Sequence, residues 1–324
     1  KGVNLPGVDL GIDLITEGDE AELSLAAETE ADFVAASFVR SAADVYTISD
    51  ALDDRGADIP VVAKIERAGA VENLDRIIEA AYGVMVARGD LGVEMPLEDV
   101  PIIQKRIIRK CHATGTPVIT ATEMLDSMVS ARRPTRAEAS DVANAVLDGT
   151  DAVMLSGETA VGDDPVRVVA TMDRIVRQIE ATDESDESRE ACIPTADTDS
   201  RTEALARSAR YLARDVGASA IVAASESGYT ARKTAKFRPG VPVVATTPDD
   251  RIRRQLALSW GITPTYSAYR EDIDRMMDDA VDVALDAGVA TSGDTLVVLS
   301  GMMTELEETN TTNMLKLHVA AEAV

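Results

Sequence analysis

The sequence predicts two successive α/β parts, the first built on a parallel sheet or a (β/α) barrel, and three observations carry that prediction. Short, continuously apolar runs alternate with amphipathic stretches of helical length through residues 1–182. An acidic, Ser-rich stretch broken by Pro194 interrupts the pattern at 183–200. From 201 to 324 a second alternation begins and runs to the end of the chain.

In the first part the strand candidates are FVAAS (33–37), VVAKI (61–65), GVMVA (83–87), PVITA (117–121) and DAVML (151–155). Each is a four- or five-residue apolar run, as expected of a strand buried on both faces. Helical patterns fall between and after them at 42–53, 71–80, 98–114, 136–147 and 165–181. Asp44, the PTRAE start at Pro134, and Asp164 before Pro165 supply capping chemistry. Such a βαβα alternation implies parallel strands. Five strands are present where a closed barrel needs eight.

The composition of 183–200 (DESDESREACIPTADTDS) reads as a linker. Beyond it, helix 201–215 leads to strand AIVAA (220–224), helix 230–237, strand VPVVAT (241–246) and helix 249–258. Helix 270–287, strand TLVVLS (295–300) and the run MLKLHVA (314–320) complete the second part. At 324 residues the chain is long enough for two cores.

Asp and Glu outnumber Lys and Arg by 57 to 32, a net charge of −25, and only seven residues are lysine. This field repels nucleic acid and anionic membranes, so neither is an expected partner. The acidic residues are spread along the whole chain, a pattern expected of a halophilic protein, because molar salt shortens the Debye length to about 3 Å, with an ordinary acidic enzyme as the alternative. No run approaches the ~20 apolar residues of a membrane helix. Cys111 and Cys192 lack the spacing of a zinc site or disulfide framework and suit a reducing, cytoplasmic setting. The chain opens on Lys1 and not on Met, which predicts further sequence upstream.

The polar residues that need an explanation lie at the carboxyl ends of the first-part strands, the end that carries the active site in a (β/α) barrel. Lys64 and Glu66, two apart, project to the same side of their strand. The plain alternative is a structural ion pair. Strand 83–87 runs into ARGDLG (87–92), a turn that sets Asp90 between glycines and whose N–H groups suit an anion, a simple left-handed turn being the alternative. The next strand ends at Thr122, a hydroxyl that would otherwise cap a helix. The last ends in LSGETAVG (155–162) with Ser156 and Glu158, again readable as a cap and turn. Taken together, a lysine, carboxylates from adjacent strands and two hydroxyls converge on one rim. The carboxylates suit Mg²⁺ or Mn²⁺, and the lysine suits a phosphoryl group in transfer. The residues alone thus indicate a metal-dependent enzyme acting on a small phosphate or carboxylate compound.

KGVNLPG (1–7), ASFVR (36–40), AKIE (63–66), VARGDLGVE (86–94), PVITATEML (117–125), RPTRAEASDVANAVLDGTDAVMLSGETAVG (133–162) and TNTTNMLKLH (309–318) resemble pyruvate kinase motifs, in pyruvate kinase order. The resemblance implies a partial TIM-type barrel of about five strands (1–182), the linker, and a smaller three-layer α/β C-terminal domain (201–324). It also implies phosphoryl transfer from phosphoenolpyruvate to ADP, giving pyruvate and ATP. Lys64 would stabilise the phosphoryl group, and Glu66 and Asp90 would hold Mg²⁺ or Mn²⁺. The Gly89–Asp90 backbone would bind the substrate carboxylate, and Thr122 would sit beside the methylene carbon that receives a proton. Ser156 and Glu158 would belong to the proton-delivery region, and Lys1 would lie near the nucleotide. Ser225, Ser227 and Thr230, in ASESGYTARK (224–233), fall where the family binds a sugar-phosphate effector. Capping of a helix start is the alternative for them.

The family resemblance further implies a homotetramer. It implies that three barrel strands, an inserted lid domain, an ATP-contacting arginine and any K⁺ ligands would lie upstream of this chain. A non-catalytic fragment serving assembly or regulation is therefore the competing expectation for the chain by itself.

Overall fold

The computed structural model describes residues 14–182, 200–268, 272–301 and 312–320. The chain divides into two compact units, Lys1–Arg189 and Glu190–Val324.

The first unit is organised on five parallel strands, β1 (Val34–Ala36), β2 (Val61–Ile65), β3 (Gly83–Ala87), β4 (Val118–Ala121) and β5 (Ala152–Val153), hydrogen-bonded in sequence order. Among the described residues β1 and β5 are the edges of this sheet, which is the arrangement of a partial barrel. All of β3 is buried, as its unbroken apolar run requires. The register sets the ends level: Ile65 faces Val86, and Ala87 faces Ala121.

The helices between the strands pack one apolar stripe on the sheet. In α2 (Ala42–Asp53) the stripe is Val45, Ile48 and Leu52. In the helix at Val100–Thr114 it is Ile103, Ile107, Ile108 and Cys111, and Gly115 closes that helix at φ 76°. Ser41 with Asp44 and Thr135 with Glu138 form capping boxes, the second opening the helix Arg136–Leu147. Asp164 accepts from the Arg167 N–H at 3.1 Å to open the helix Pro165–Glu180.

Three elements of the first unit depart from the sequence expectation. Helix α1 (Glu17–Glu28) is stapled by a Thr16–Asp19 capping box but buries only Leu23, so no apolar stripe announces it. The helix expected at 71–80 is two, α3 (Ala68–Glu72) and α4 (Leu74–Ala80). Asn73 separates them, its side chain donating to the carbonyls of Gly69 and Arg40. ARGDLG is not an open turn: Arg88–Glu94 is a short helix, α5, with Leu91 fully buried. Neither Gly89 nor Gly92 has positive φ. Gly92 instead gives room to Leu97, whose Cδ1 would lie 3.3 Å from an added Cβ.

Completing the first unit are α6 (Val100–Thr114), α7 (Arg136–Leu147), α8 (Gly157–Ala160) and α9 (Pro165–Glu180).

The second unit is a three-layer α/β domain. Its sheet runs β10-β9-β6-β7-β8, with β6 (Ala220–Ala224), β7 (Val243–Thr247), β8 (Ile262–Tyr266) and β9 (Thr295–Ser300) parallel and β10 (Met314–Val319) antiparallel to β9. Ala220, Val222, Leu296 and Val298 face α13 (Ile273–Asp286). Alternate residues Ile221, Val297 and Leu299 face α10 (Arg201–Val216). Ala223, Val243 and Ala245 pack with α11 (Tyr229–Ala235) and α12 (Asp250–Leu256). Strand β8 was not expected from the sequence. Its ITPTY carries Pro264, which an edge strand tolerates because its outer side needs no donor.

Glu203 of α10 lies between Lys233 of α11 (2.8 Å) and Lys236 (2.9 Å), the residue that caps the end of α11. Burial raises the Glu203 carboxyl, but the hydrogen bonds and charges of the two lysines override it and hold the group at about 2. Burial pushes the Lys236 ammonium below the usual lysine range despite its carboxylate partner. A depressed carboxyl contributes stability above its unfolded pKa of 4.5 and loses it as pH falls toward 2. Glu203→Gln is therefore expected to cost on the order of 3 kcal/mol at pH 7. The gap to the unchanged protein should narrow between pH 5 and roughly 3. Denaturant melts across that range check it, and a gap constant with pH would refute the assignment.

Candidate active site

Each strand of the first unit delivers a polar group to the same, carboxyl-terminal edge of the sheet. On β2 the two-residue period brings Lys64 and Glu66 together: Lys64 Nζ lies 3.1 Å from Glu66 Oε2 and donates to Ser37 Oγ, just past β1, at 2.6 Å. The Glu66 side chain is 2% exposed and that of Lys64 23%. A carboxylate so buried needs partners, and Glu66 has a second in the Phe38 N–H. Phe38 itself takes φ 59°, with the Arg67 guanidinium stacked on its ring. The ion pair is thus present, and it is aimed at the rim.

Because Ile65 faces Val86, the residue after β2 and the first turn of α5 lie side by side. There Asp90 is exposed, and its carboxylate has no hydrogen bond or ion pair among the described residues. At the end of β4, Thr122 does not cap a helix. It takes φ 66°, followed by Glu123 at 55°. Its hydroxyl accepts from the Gly89 N–H at 2.8 Å and donates to the Ala121 carbonyl at 2.6 Å. The bond to Gly89 ties the ends of β3 and β4 to each other.

Past β5, Ser156 stands at the N-terminus of α8, and its buried hydroxyl has no hydrogen-bond partner among the described residues. Glu158 is 2% exposed, accepting from the N–H groups of Leu125 (3.0 Å) and Ser156 (2.7 Å). It fixes the loop after β4 to the one after β5. Lys1 lies outside the described residues, as does most of the 183–200 stretch.

Two contributors escaped the sequence reading. Ser37 orients Lys64, and Arg88 reaches from the start of α5 to the carbonyls of Ala121 (3.2 Å) and Thr122 (2.6 Å). The available signal for Arg88 was a cation ending the wholly apolar run GVMVA.

Chemically, the edge offers one ammonium, two carboxylates from neighbouring strands and a hydroxyl held in a strained conformation. Among the described residues no three His, Cys, Asp or Glu side chains cluster as a metal cage. Glu66 with the unpartnered Asp90 instead fits a hard cation that completes its shell with water and substrate oxygens.

In the second unit, Ser225 Oγ accepts from the Thr230 N–H at 3.3 Å, and the Thr230 hydroxyl is buried against that of Thr312 at 2.7 Å. The Ser227 carbonyl accepts from Arg232. Gly228, at φ 72°, is required there: an added Cβ would lie 2.8 Å from Leu256 Cδ2.

Residues 1–169 match the family model "Pyruvate kinase, barrel domain" and residues 203–318 match "Pyruvate kinase, alpha/beta domain". The chain is 46% identical to a pyruvate kinase of Bacillus licheniformis, over 100% of this chain and 55% of that relative. It is 45% identical to one of Clostridium acetobutylicum (98% and 67%) and 46% to one of Geobacillus stearothermophilus (99% and 54%). The chain thus spans between about half and two thirds of the length of these relatives. Two consecutive domain matches and full-chain similarity to enzymes of one name make this chain a member of the pyruvate kinase family.

Proposed function

We propose that the protein carrying this chain transfers the phosphoryl group of phosphoenolpyruvate to ADP, and that the rim at Lys64, Glu66, Asp90 and Thr122 performs the phosphoenolpyruvate side of the reaction. The observation that carries this is the Lys64–Glu66 pair, level with Asp90 and Thr122 on adjacent strand ends. The phosphorus–oxygen bond to the enol breaks and a bond to an ADP β-phosphate oxygen forms, leaving the pyruvate enolate, which then takes a proton at its methylene carbon. Lys64 balances charge on the phosphoryl oxygens in transit. A substrate carboxylate taken up at the Gly89 N–H replaces the Thr122 hydroxyl there and turns it toward the methylene carbon. Glu66 and Asp90 would hold Mg²⁺ or Mn²⁺, which supplies charge neutralisation and orientation of phosphate oxygens.

The same reading proposes K⁺ as an activator, Lys1 near the nucleotide, Ser156 and Glu158 beside the proton path, and a homotetrameric assembly. The domain bounds 1–182 and 201–324, with 183–200 as linker, belong to it as well. Of the three effector-loop hydroxyls, Ser227 is the one left unengaged among the described residues. Pyruvate formation from phosphoenolpyruvate and ADP by the full-length protein, followed through NADH oxidation by lactate dehydrogenase, is the test. No pyruvate with Mg²⁺ and K⁺ present, at any KCl concentration from 0.1 M to saturation, would reject the proposal.

A high-salt cytoplasm is the setting proposed for it. No helix of the described residues is long and apolar enough to cross a membrane. With a net charge of −25 the fold should gain stability as KCl rises toward molar, because self-repulsion is screened. Thermal melts against KCl check this, and a melting temperature flat or falling with salt would count against it.

A further inference from the structure

Thr122 and Glu123 are the only two successive non-glycine residues with positive φ among those described. The left-handed region is costly for any side chain and more so for a β-branched one, so such a pair persists only where contacts over-determine it. Here one side chain reaches the carbonyls of both Ala121 and Thr122. Arg88 donates from Nη2 to the Thr122 carbonyl at 2.6 Å and from Nε to the Ala121 carbonyl at 3.2 Å. Its remaining nitrogen, Nη1, donates to Asp141 of α7 at 2.6 Å and to Gln104 of α6 at 3.4 Å. The brace also closes in the opposite direction. The Gly89 N–H, next in the chain after Arg88, donates to the Thr122 hydroxyl.

We infer that Arg88 is a positioning residue for phosphoryl transfer, holding Thr122–Glu123 left-handed so that the Thr122 hydroxyl and the first turn of α5 keep their places. This rests on the function proposed above. The geometry requires an arginine: its planar fork reaches two carbonyls and a carboxylate at once, whereas an ammonium is a single point of charge. Arg88 acts through Thr122 and does not itself meet the reacting atoms. A purely stabilising ion pair with Asp141 would leave the two carbonyl contacts without a role.

The test is Arg88→Lys in the full-length protein, a change that keeps a cation for Asp141 and hence the fold. Turnover is expected to fall roughly 10- to 100-fold, the usual effect of small misplacement of a reacting group, with KM for ADP unchanged. In a Thr122→Ala background the same substitution should have almost no further effect, since both act through one hydroxyl. Adding Glu123→Gly to Arg88→Lys should recover part of the turnover by removing one of the two strained positions. Effects of Arg88→Lys and Thr122→Ala that multiply, or a loss that only tracks unfolded protein, would overturn the inference.

Hydrogen exchange gives a readout independent of activity. The Gly89 amide should exchange at least about tenfold faster in Arg88→Lys than in the unchanged protein, and an unchanged rate would also overturn the brace. If the unchanged protein makes no pyruvate, the proposed reaction has failed, and the amide exchange still decides whether Arg88 braces this turn.

Discussion

Replacing Lys64 by methionine in the full-length protein is expected to lower turnover by about 10²–10³-fold or more, the loss seen when one preorganised electrostatic contact to a transition state is removed. The argument starts from placement. Lys64 sits in an otherwise apolar strand and is fixed from two sides, by Ser37 Oγ and Glu66 Oε2. Fixing it in this way means that little reorganisation is needed when charge builds on a phosphoryl group nearby. Stability should change far less than rate. Glu66 keeps its bond from the Phe38 N–H, and methionine preserves the length and apolar stem of the lysine. A fall of a few degrees in melting temperature is the expected cost of leaving a buried carboxylate with one partner fewer. Removing a cation beside Glu66 should also leave divalent-metal binding intact or strengthened, because the carboxylate's competing charge is gone. Near-normal turnover in Lys64→Met, or loss of metal binding in parallel with activity, would show that Lys64 is only a structural partner of Glu66.

What the sequence made legible follows from burial. VVAKI, GVMVA, AIVAA and TLVVLS are strands covered on both faces, so their apolar runs stand out without reference to any neighbour. Strand β8 is covered less and lies at an edge, so its Thr and Pro residues carry no such signal. Helix α1 buries only Leu23 and is held by its cap, so it carries no apolar periodicity to read. The same division runs through the site. Lys64 and Glu66 were legible because a period of two and an apolar background isolate them. Arg88 was not, because what makes it matter is the backbone conformation of Thr122, thirty-four residues away, and no residue type at 122 or 123 announces positive φ. The two glycines of ARGDLG pointed to a turn, whereas Leu91 needed burial and pulled the segment into a helix.

The two proposed metal ligands differ in surroundings, and that difference sharpens the second large effect. Asp90→Asn and Glu66→Gln are each expected to raise the Mg²⁺ or Mn²⁺ concentration needed for half-maximal turnover by at least tenfold. Changes in groups that merely support ligands already cost about 10- to 100-fold in metal affinity, and these two are proposed as direct ligands. Beyond that shared effect the variants should part. Asp90 is exposed and has no partner among the described residues, so its amide should fold with an unchanged melting temperature. Glu66 is 2% exposed and faces Lys64, so its amide leaves a partly buried ammonium without its counter-charge and should be measurably less stable, by about 1–3 kcal/mol. Metal titrations and melts on the same two preparations therefore separate ligand loss from damage to the fold. Unchanged metal requirements in both variants would remove the carboxylate pair from the mechanism. A raised requirement in Glu66→Gln alone, with Asp90→Asn indistinguishable from the unchanged protein, would remove Asp90 from the metal site and keep Glu66 as a ligand.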